Sequence, residues 1–171
     1  MSRATATTHS TPMPKDVILT PQGLETLQRE LDDLQTNKRR EVAERIKEAR
    51  EFGDISENSE YDDAKNEQMM LEQKIAQLEE RLRSAQIVDT SDLTTDVVKI
   101  GVTVNIKDEK TGDSDKYTIV GSAEASPSEK KLSNESPVGK ALLGHKRGDT
   151  VDVSLPNGKK RKLKITKIDV A

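Results

Sequence analysis

The stretch from residue 21 to residue 53 reads PQGLETLQRELDDLQTNKRREVAERIKEAREFG, and it predicts the fold. After Gly23, no glycine or proline interrupts it until Gly53, which favours one continuous helix. Apolar residues recur at intervals of three and four, the spacing of a coiled-coil seam. They are Leu24, Leu27, Leu31 and Leu34. The stretch therefore predicts a long amphipathic helix that packs against a partner helix along one stripe.

The start of this helix and one irregular step can also be predicted. Thr20 and Pro21 predict the start, because threonine is a good N-cap and proline suits the first helical position. The seam resumes at Val42 after an eight-residue step from Leu34, one residue more than a heptad. We expect a locally straighter helix at this step. The remaining seam residues are Ile46 and Ala49.

A second seam begins after Gly53 and alternates threes and fours without a break. Its members are Tyr61, Ala64, Gln68, Leu71, Ile75, Leu78, Leu82 and Ala85. We expect this helix to start within residues 54–58 and to end near Ile87. Each of the two arms is then about 45 Å long, at about 1.5 Å per residue. The short connection allows only antiparallel neighbours. The sequence therefore predicts a long α-helical coiled-coil hairpin with its tip at residues 52–57.

The chain divides by composition into four segments. Residues 1–16 are rich in Thr, Ser and Pro and predict a disordered tail, residues 17–88 hold the hairpin, and residues 89–96 form a polar linker. In residues 97–171 the apolar period changes to two, which predicts a small, mainly antiparallel β-sheet domain and an α+β fold class. We expect strands at 98–106, 116–120, 151–155 and 163–168, turns at 110–113 and 156–158, and a short helix or loop at 136–143.

The last predicted strand is strongly basic. Its cationic residues are Lys159, Lys160, Arg161, Lys162, Lys164 and Lys167. Lysines on a strand are most typical of a protected sheet edge, because they discourage the addition of another strand. A surface for a binding partner is the alternative.

Composition excludes several classes of function. Of 171 residues, 35% are charged, 32% hydrophobic and 2% aromatic, which favours long solvated helices over one large core. Without cysteine there is no disulfide, thiolate metal site or cysteine nucleophile, and His9 and His145 alone offer little for a zinc site or a catalytic triad. No apolar run is long enough for a membrane span and no secretory signal is evident, so we expect a cytoplasmic protein. The net charge of −3 gives no general attraction to nucleic acid.

Charge is distributed unevenly along the arms. Residues 36–50 carry a net charge of +3, whereas residues 51–67 carry −6 where the hairpin turns. Folding alone gives no reason to gather like charges, so the tip is a candidate site. Asp54 and Glu57 are three residues apart and can face one side, where two carboxylates suit a weakly held Mg²⁺ and its water. The alternative is a capping box, with Asp54 as the N-cap and Glu57 at the third helical position. The other acidic residues are expected to be solvated: Glu51, Glu60, Asp62, Asp63 and Glu67.

Separate segments of the chain carry a resemblance to one known family. Residues 49–61, AREFGDISENSEY, closely resemble the hairpin-tip signature of the bacterial Gre transcript cleavage and elongation factors. Residues 132–142, LSNESPVGKAL, are similar to the C-terminal part of that family, as is GDTV at 148–151 followed by PNG at 156–158. The likeness covers about residues 17–171 in the right order.

The resemblance implies a cofactor of bacterial RNA polymerase rather than an enzyme. Family members insert the hairpin through the secondary channel and reach the active site when the polymerase has backtracked and extruded the RNA 3′ end. Tip carboxylates then help to bind a second Mg²⁺ and to position water, while the polymerase itself cuts the RNA. Carried over to this chain, those carboxylates are Asp54 and Glu57. The metal would be shared with the polymerase, with none bound by the isolated protein, which we expect to be a monomer.

The resemblance also assigns roles to basic and docking residues. Arg50 and Lys65 match positions that contact the RNA 3′ segment, although Lys65 replaces a common arginine and loses its bidentate fork on phosphate. The C-terminal domain of the family is FKBP-like and docks near the channel rim. Ser136 and Pro137 lie in the matching segment and are docking candidates, with turn formation as the alternative. Phe52 is either an apolar plug of the tip or a contact inside the polymerase.

Two other functions stay open at this stage. Homologues with this architecture can block the polymerase, so a channel-binding inhibitor is the alternative to cleavage stimulation. A coiled-coil adaptor or holdase would grip its partner through the seam, and the tip charges would then be incidental.

Overall fold

A helical hairpin and a five-stranded sheet make up the described part of the chain, residues 17–53 and 58–171 of a computed structural model. The fold is α+β, as predicted. None of the helices in these two ranges is both long and apolar enough to cross a membrane. The predicted tail at residues 1–16 and four residues of the predicted tip lie outside the described residues.

The first arm consists of two α-helices in line, joined by a wider helical turn. Helix α1 spans Pro21–Asp33, a π-helical turn spans Leu34–Lys38, and α2 spans Arg39–Glu51. Thr20 is the N-cap, and its hydroxyl oxygen accepts a hydrogen bond from the backbone N–H of Gly23 at 3.0 Å. The predicted helix start is therefore confirmed.

The π-helical turn corrects the predicted straighter helix at the irregular step. Eight residues of regular α-helix would rotate the seam by about 80° beyond two full turns. A π turn holds more residues per turn than an α turn and so takes up the extra one. Leu34 and Val42 consequently both face the partner arm, with exposures of 9% and 3%.

The second arm is helix α3, Ser59–Arg83, which packs antiparallel to the first along the predicted seam. The buried residues of the seam are Leu27, Leu34, Val42, Ile46 and Ala49 on the first arm and Ala64, Leu71, Ile75 and Leu78 on the second. Ion pairs between the arms flank this seam. Arg39 holds Glu72 through two hydrogen bonds of 2.8 and 2.7 Å, and Lys74 Nζ lies 2.7 Å from Glu30. These pairs are exposed, so they fix the alignment of the arms more than they add stability.

The prediction that the second helix continues to about Ile87 is wrong. Helix α3 ends at Arg83, and Ala85–Ile87 forms strand β2, which pairs in parallel with strand β1, Val17–Leu19. Strand pairing satisfies the backbone groups on both sides of the hairpin base, where the chain enters and leaves the arms. Ala85 thus lies in this small sheet, and its side chain still packs against the hydrophobic core of the hairpin.

The sheet of the C-terminal unit has the strand order β5-β4-β3-β7-β6, and only the β4–β5 pair is parallel. Its strands are β3 Val102–Asp108, β4 Ser114–Val120, β5 Lys131–Ser133, β6 Thr150–Ser154 and β7 Lys160–Val170. Helix α4, Pro137–Leu142, packs on one face, where it joins a core that contains Val104, Ile119, Leu163 and Ile165. Four strands are confirmed. Strand β3 begins later than predicted, after Gly101 with φ at +99°, and the three-residue β5 was not predicted.

The basic strand β7 is not a sheet edge, which corrects the prediction. It pairs with β3 on one side and with β6 on the other. The edges of the described sheet are β5 and β6. The lysines of β7 therefore need an explanation other than protection of an open edge.

The base of the hairpin contacts the sheet unit through one carboxylate and one close backbone approach. The Thr20 backbone N–H donates to Glu124 Oε2 at 2.7 Å, and its hydroxyl donates to Oε1 at 2.5 Å. Glu124 ends a short 3-10 helix that follows Gly121. A Cβ on Gly121 would lie 1.7 Å from the carbonyl oxygen of Ile18, so only glycine permits this approach.

We expect Gly121→Ala to lower the free energy of unfolding by about 1–3 kcal/mol, the usual cost of overpacking. The overlap is with a backbone oxygen and cannot be relieved by turning a side chain. Urea unfolding followed by circular dichroism measures the effect. Gly53→Ala is the matched control, because a Cβ there meets nothing within 4 Å. Equal stability of the two variants would contradict the proposed close contact.

The carboxylate of Asp108 links the β3–β4 turn to strand β7 through hydrogen bonds. This buried carboxylate accepts hydrogen bonds from Arg161 Nε at 2.7 Å and from the backbone N–H of Lys110 at 2.8 Å. The Arg161 guanidinium, followed by that backbone donor, lowers the pKa of Asp108 below its ordinary value. A carboxyl whose pKa is lowered on folding stabilises the fold above the ordinary aspartate pKa, about 3.9, and loses this contribution as the pH falls.

We therefore expect Asp108→Asn to lower the free energy of unfolding at pH 7. The difference in this free energy between variant and parent protein, the gap, should narrow as the pH falls below about 4. The measurement is the urea midpoint across a pH series. Asp113→Asn removes an equal charge from an exposed position in the same turn and serves as the control. A gap that stays constant over the whole pH range would show that the Asp108 charge is not what stabilises the turn.

Candidate functional site at the end of the hairpin

The far end of the hairpin is built by the last turn of α2 and the first turn of α3. Helix α2 ends at Glu51 with Phe52 as its C-cap, and α3 begins at Ser59. Asp54 and Glu57, the predicted metal and catalytic carboxylates, lie between these helices and outside the described residues. Their pairing therefore stays a prediction, whereas the helix ends that flank them are defined.

Asn58 links the two arms beside this acidic segment. Its Oδ1 accepts hydrogen bonds from the backbone N–H groups of Glu60 and Tyr61, at 3.1 and 3.2 Å, which makes it the N-cap of α3. Its Nδ2 donates to the carbonyl oxygen of Ala49 on α2 at 2.6 Å. The described helix of the second arm is therefore capped by Asn58, while the predicted capping box of Asp54 and Glu57 lies outside the described residues and stays a prediction. Sequence reasoning missed Asn58, although asparagine ranks among the best capping residues.

Arg50 and Tyr61 form a second link across the hairpin end. The guanidinium carbon of Arg50 lies 5.7 Å from the centroid of the Tyr61 ring, within the range of a cation–π contact. Tyr61 was predicted only as a seam residue, yet it also holds the cation next to the acidic segment. Lys65 lies one helical turn further along α3, and its ammonium donates to Gln68 at 2.7 Å. Both predicted RNA contacts thus flank the hairpin end on opposite arms.

Four acidic residues near the end of the hairpin are unpaired within the described part of the chain. Glu51, Glu60, Asp62 and Asp63 are exposed, as predicted, and have no ion pair with any residue in the described ranges. Glu67, one turn further from the end, forms an ion pair with Arg45. The charge that gathers at the end is therefore available to a partner.

Basic residues nearer the middle of the arm are used within the hairpin itself. Lys38 Nζ lies 2.6 Å from Glu41, and Arg39 binds Glu72. These contacts raise the pKa values of Lys38 and Arg39, and the hydrogen bond from Arg39 lowers the pKa of Glu72. These contacts therefore stabilise the hairpin rather than form a binding surface.

No group of three His, Asp or Glu side chains within residues 17–53 and 58–171 is arranged to hold a metal ion. The candidate donors are the carboxylates of Asp54 and Glu57, outside those ranges. Their chemistry fits Mg²⁺, which takes oxygen ligands and is often held by one or two carboxylates with other groups completing its shell.

Phe52 stands at the same end and is 82% exposed. It is the only phenylalanine in the chain. No described residue covers its ring, so it does not act as a plug against the described helices. A contact with a partner stays a prediction.

The predicted docking residues lie in the other unit, at the start of α4. Ser136 is the N-cap of α4: its Oγ accepts from the Gly139 N–H at 3.0 Å and donates to the Ser133 carbonyl oxygen at 2.7 Å. Pro137 occupies the first helical turn and is exposed. The turn-forming alternative is thus confirmed for Ser136, while a docking role stays a prediction.

Comparisons with known proteins agree with this architecture. The family model "Transcription elongation factor, N-terminal" matches residues 17–87, and "Transcription elongation factor, GreA/GreB, C-term" matches residues 93–170. Transcription elongation factor GreA of Acetivibrio thermocellus is 58% identical over 144 residues, which are 84% of this chain and 91% of that protein. GreA of Caldanaerobacter subterraneus subsp. tengcongensis is 56% identical over 156 residues, 91% of this chain and 99% of that protein.

A solved structure, GreA factor homolog 1 of Thermus thermophilus, is 31% identical and covers 90% of this chain and 99% of its own, with a TM-score of 0.41. Because this TM-score is low, the structural match carries no weight here, and the family assignment depends on the sequence matches. The chain belongs to the GreA/GreB family of transcription elongation factors.

We expect Asn58→Ala to loosen the hairpin end, because it removes the cap of α3 and the bond to α2 together. Loss of an asparagine cap costs about 0.5–2 kcal/mol of helix stability. Hydrogen exchange should show faster exchange of the Glu60 and Tyr61 amides. Asn37→Ala is the control, since the exposed side chain of Asn37 donates its hydrogen bond to Asp33 on the same arm rather than to the other arm. Unchanged protection in the Asn58 variant would contradict the linking role.

Proposed function

We propose that this protein stimulates RNA cleavage by bacterial RNA polymerase. The hairpin would enter the secondary channel and bring its acidic end to the active site of a backtracked, arrested complex. The polymerase would then cut the extruded RNA 3′ end and resume elongation. The observation that carries the proposal is a long, stiff hairpin whose exposed end concentrates unpaired negative charge, in a chain of the GreA/GreB family.

Reach and stiffness support this role. The first arm has 13 residues in α1, 5 in the π turn and 13 in α2, which corresponds to a rod of about 45 Å. Its seam and the ion pairs between the arms resist bending. A stiff rod can place its end in a narrow channel without a large loss of conformational entropy on binding.

Asp54 and Glu57 would act by holding Mg²⁺ together with groups of the polymerase. When bound, this ion lowers the pKa of its water and orients that water for attack on the phosphodiester. The two carboxylates contribute charge and position, and we propose that the isolated chain has no turnover of its own. Arg50 and Lys65 would attract the RNA 3′ segment through its phosphates, Lys65 as a point charge.

The sheet unit would dock on the polymerase near the channel rim while the hairpin is inserted. The exposed ring of Pro137 and the segment that begins at Ser136 are the proposed contact. Because the Ser136 hydroxyl caps α4, its contribution to docking would be to present this helix start in the right conformation. The protein would act in the cytoplasm, where the polymerase is found.

We expect the double change Asp54→Asn with Glu57→Gln to reduce cleavage in backtracked complexes by about 10²-fold or more, the typical loss when a charge-stabilising group is removed. Binding to the polymerase should be nearly unchanged. The measurement is RNA shortening with purified polymerase, alongside a binding titration. Glu60→Gln with Asp63→Asn removes the same charge from exposed positions nearby and should retain most activity.

Two results would count against the proposal. If RNA is shortened normally with the double variant, the carboxylates do not hold the metal. If the parent protein prolongs stalling without shortening RNA, the chain is a channel-binding inhibitor instead.

A further inference from the structure

Strand β7 presents a row of lysines on the face of the sheet that lies opposite the core. Leu163 and Ile165 point into the core and are buried, whereas Lys160, Lys162 and Lys164 alternate with them and are exposed. Residues two apart on a strand lie roughly 6.7 Å apart on the same face. Because β7 is an interior strand, this row lies in the middle of the sheet rather than at its border.

Neighbouring strands extend the row in two dimensions. Lys107 of β3 lies directly opposite Lys164 in the β3–β7 register. Asn105 of β3 lies between Lys116 of β4 and Lys167 of β7. We call this surface the lysine face; it comprises Lys107, Lys116, Lys160, Lys162, Lys164 and Lys167.

The described residues around the lysine face neutralise only part of its charge. Glu109 accepts a hydrogen bond from the hydroxyl of Thr150, which is the cross-strand neighbour of Lys164. Lys167 forms an ion pair with Asp169 at 2.7 Å, and Asp152 is the cross-strand neighbour of Lys162. The other lysines of the face have no ion pair within residues 17–53 and 58–171. Like charges directly opposite each other, as at Lys107 and Lys164, destabilise a sheet. Folding therefore gives no reason for this arrangement.

We propose that the lysine face binds the phosphate backbone of duplex DNA without reading its sequence. Lysine is a compact point charge suited to phosphate, and phosphate neutralisation supplies essentially all of non-specific DNA binding. A protein partner fits this surface less well, because protein interfaces are depleted in lysine and enriched in aromatic residues.

A single-stranded partner also fits poorly. Binding of single strands relies on aromatic side chains that stack on the bases. The one aromatic residue of the sheet unit, Tyr117, packs against the core on the other side of the sheet and has Lys130 over its ring at 5.5 Å. The lysine face itself contains no aromatic side chain.

This inference does not depend on the hairpin or on cleavage. Helix α4 and the proposed docking segment pack against the opposite face of the same sheet. The lysine face would therefore stay free when that segment is occupied. In an elongation complex it would hold the factor against neighbouring duplex DNA.

The test is the binding of the full chain to a short fluorescein-labelled duplex, measured by anisotropy over a range of salt concentrations. The parent protein should bind duplexes of different sequence equally, with a Kd on the order of 10⁻⁵ M. The triple change Lys160→Gln, Lys162→Gln and Lys164→Gln should weaken binding. It should also reduce the slope of log K against log salt by up to about 2.7, at about 0.9 for each phosphate that is no longer neutralised.

A triple change of equal charge elsewhere on the sheet unit is the control: Lys99→Gln, Lys140→Gln and Lys146→Gln. It should leave the slope nearly unchanged. The proposal is overturned if the parent chain does not bind the duplex, if both triple variants reduce the slope equally, or if single-stranded RNA or an acidic protein binds the face and the duplex does not. Because the altered lysines are exposed, the variants should fold, and the relief of repulsion should raise the urea midpoint of the first triple variant.

Discussion

The packing of two charged arms along one narrow apolar seam is the constraint on which the rest of the structure depends. Isolated helices are marginally stable in water, and most of their stability in proteins comes from the packing of an apolar face. Outside the seam, α2 and α3 present mainly polar and charged side chains to water, with Met69 and Met70 as exposed exceptions. Neither arm would therefore keep its helix without the other. The seam supplies both the helical structure and the stiffness that carries the hairpin end away from the sheet unit.

Interactions that are local in sequence could be predicted, and those between distant segments could not. The apolar spacing of three and four indicated both arms, and the alternation of the C-terminal half indicated β3, β4, β6 and β7. Strand β2 was mistaken for the end of a helix because its partner, Val17–Leu19, lies far away in the chain. The interior position of β7 was missed for the same reason, since a strand's own residues do not show how many neighbours it will have.

Small energy differences explain the remaining errors at the site. A heptad irregularity can be absorbed by straightening or by a π turn, and the apolar spacing between Leu34 and Val42 fits both. The segment between the arms contains several good capping residues, among them Asp54, Ser56 and Asn58. Their intrinsic preferences are nearly equal. The hydrogen bond from Asn58 to Ala49, which depends on the position of the other arm, distinguishes Asn58 from the rest.

The net charge of −3 conceals two surfaces of opposite sign. Composition alone argued against attraction to nucleic acid, but that argument holds only for a partner that senses the whole molecule. At physiological salt the Debye length is about 8 Å, so a partner in contact with the protein responds to the charges beneath it. The hairpin holds its acidic end several Debye lengths from the lysine face, and the two surfaces therefore do not neutralise each other. If both proposals hold, a rod of this length would let one chain offer carboxylates to a metal at one end and ammonium groups to phosphate at the other.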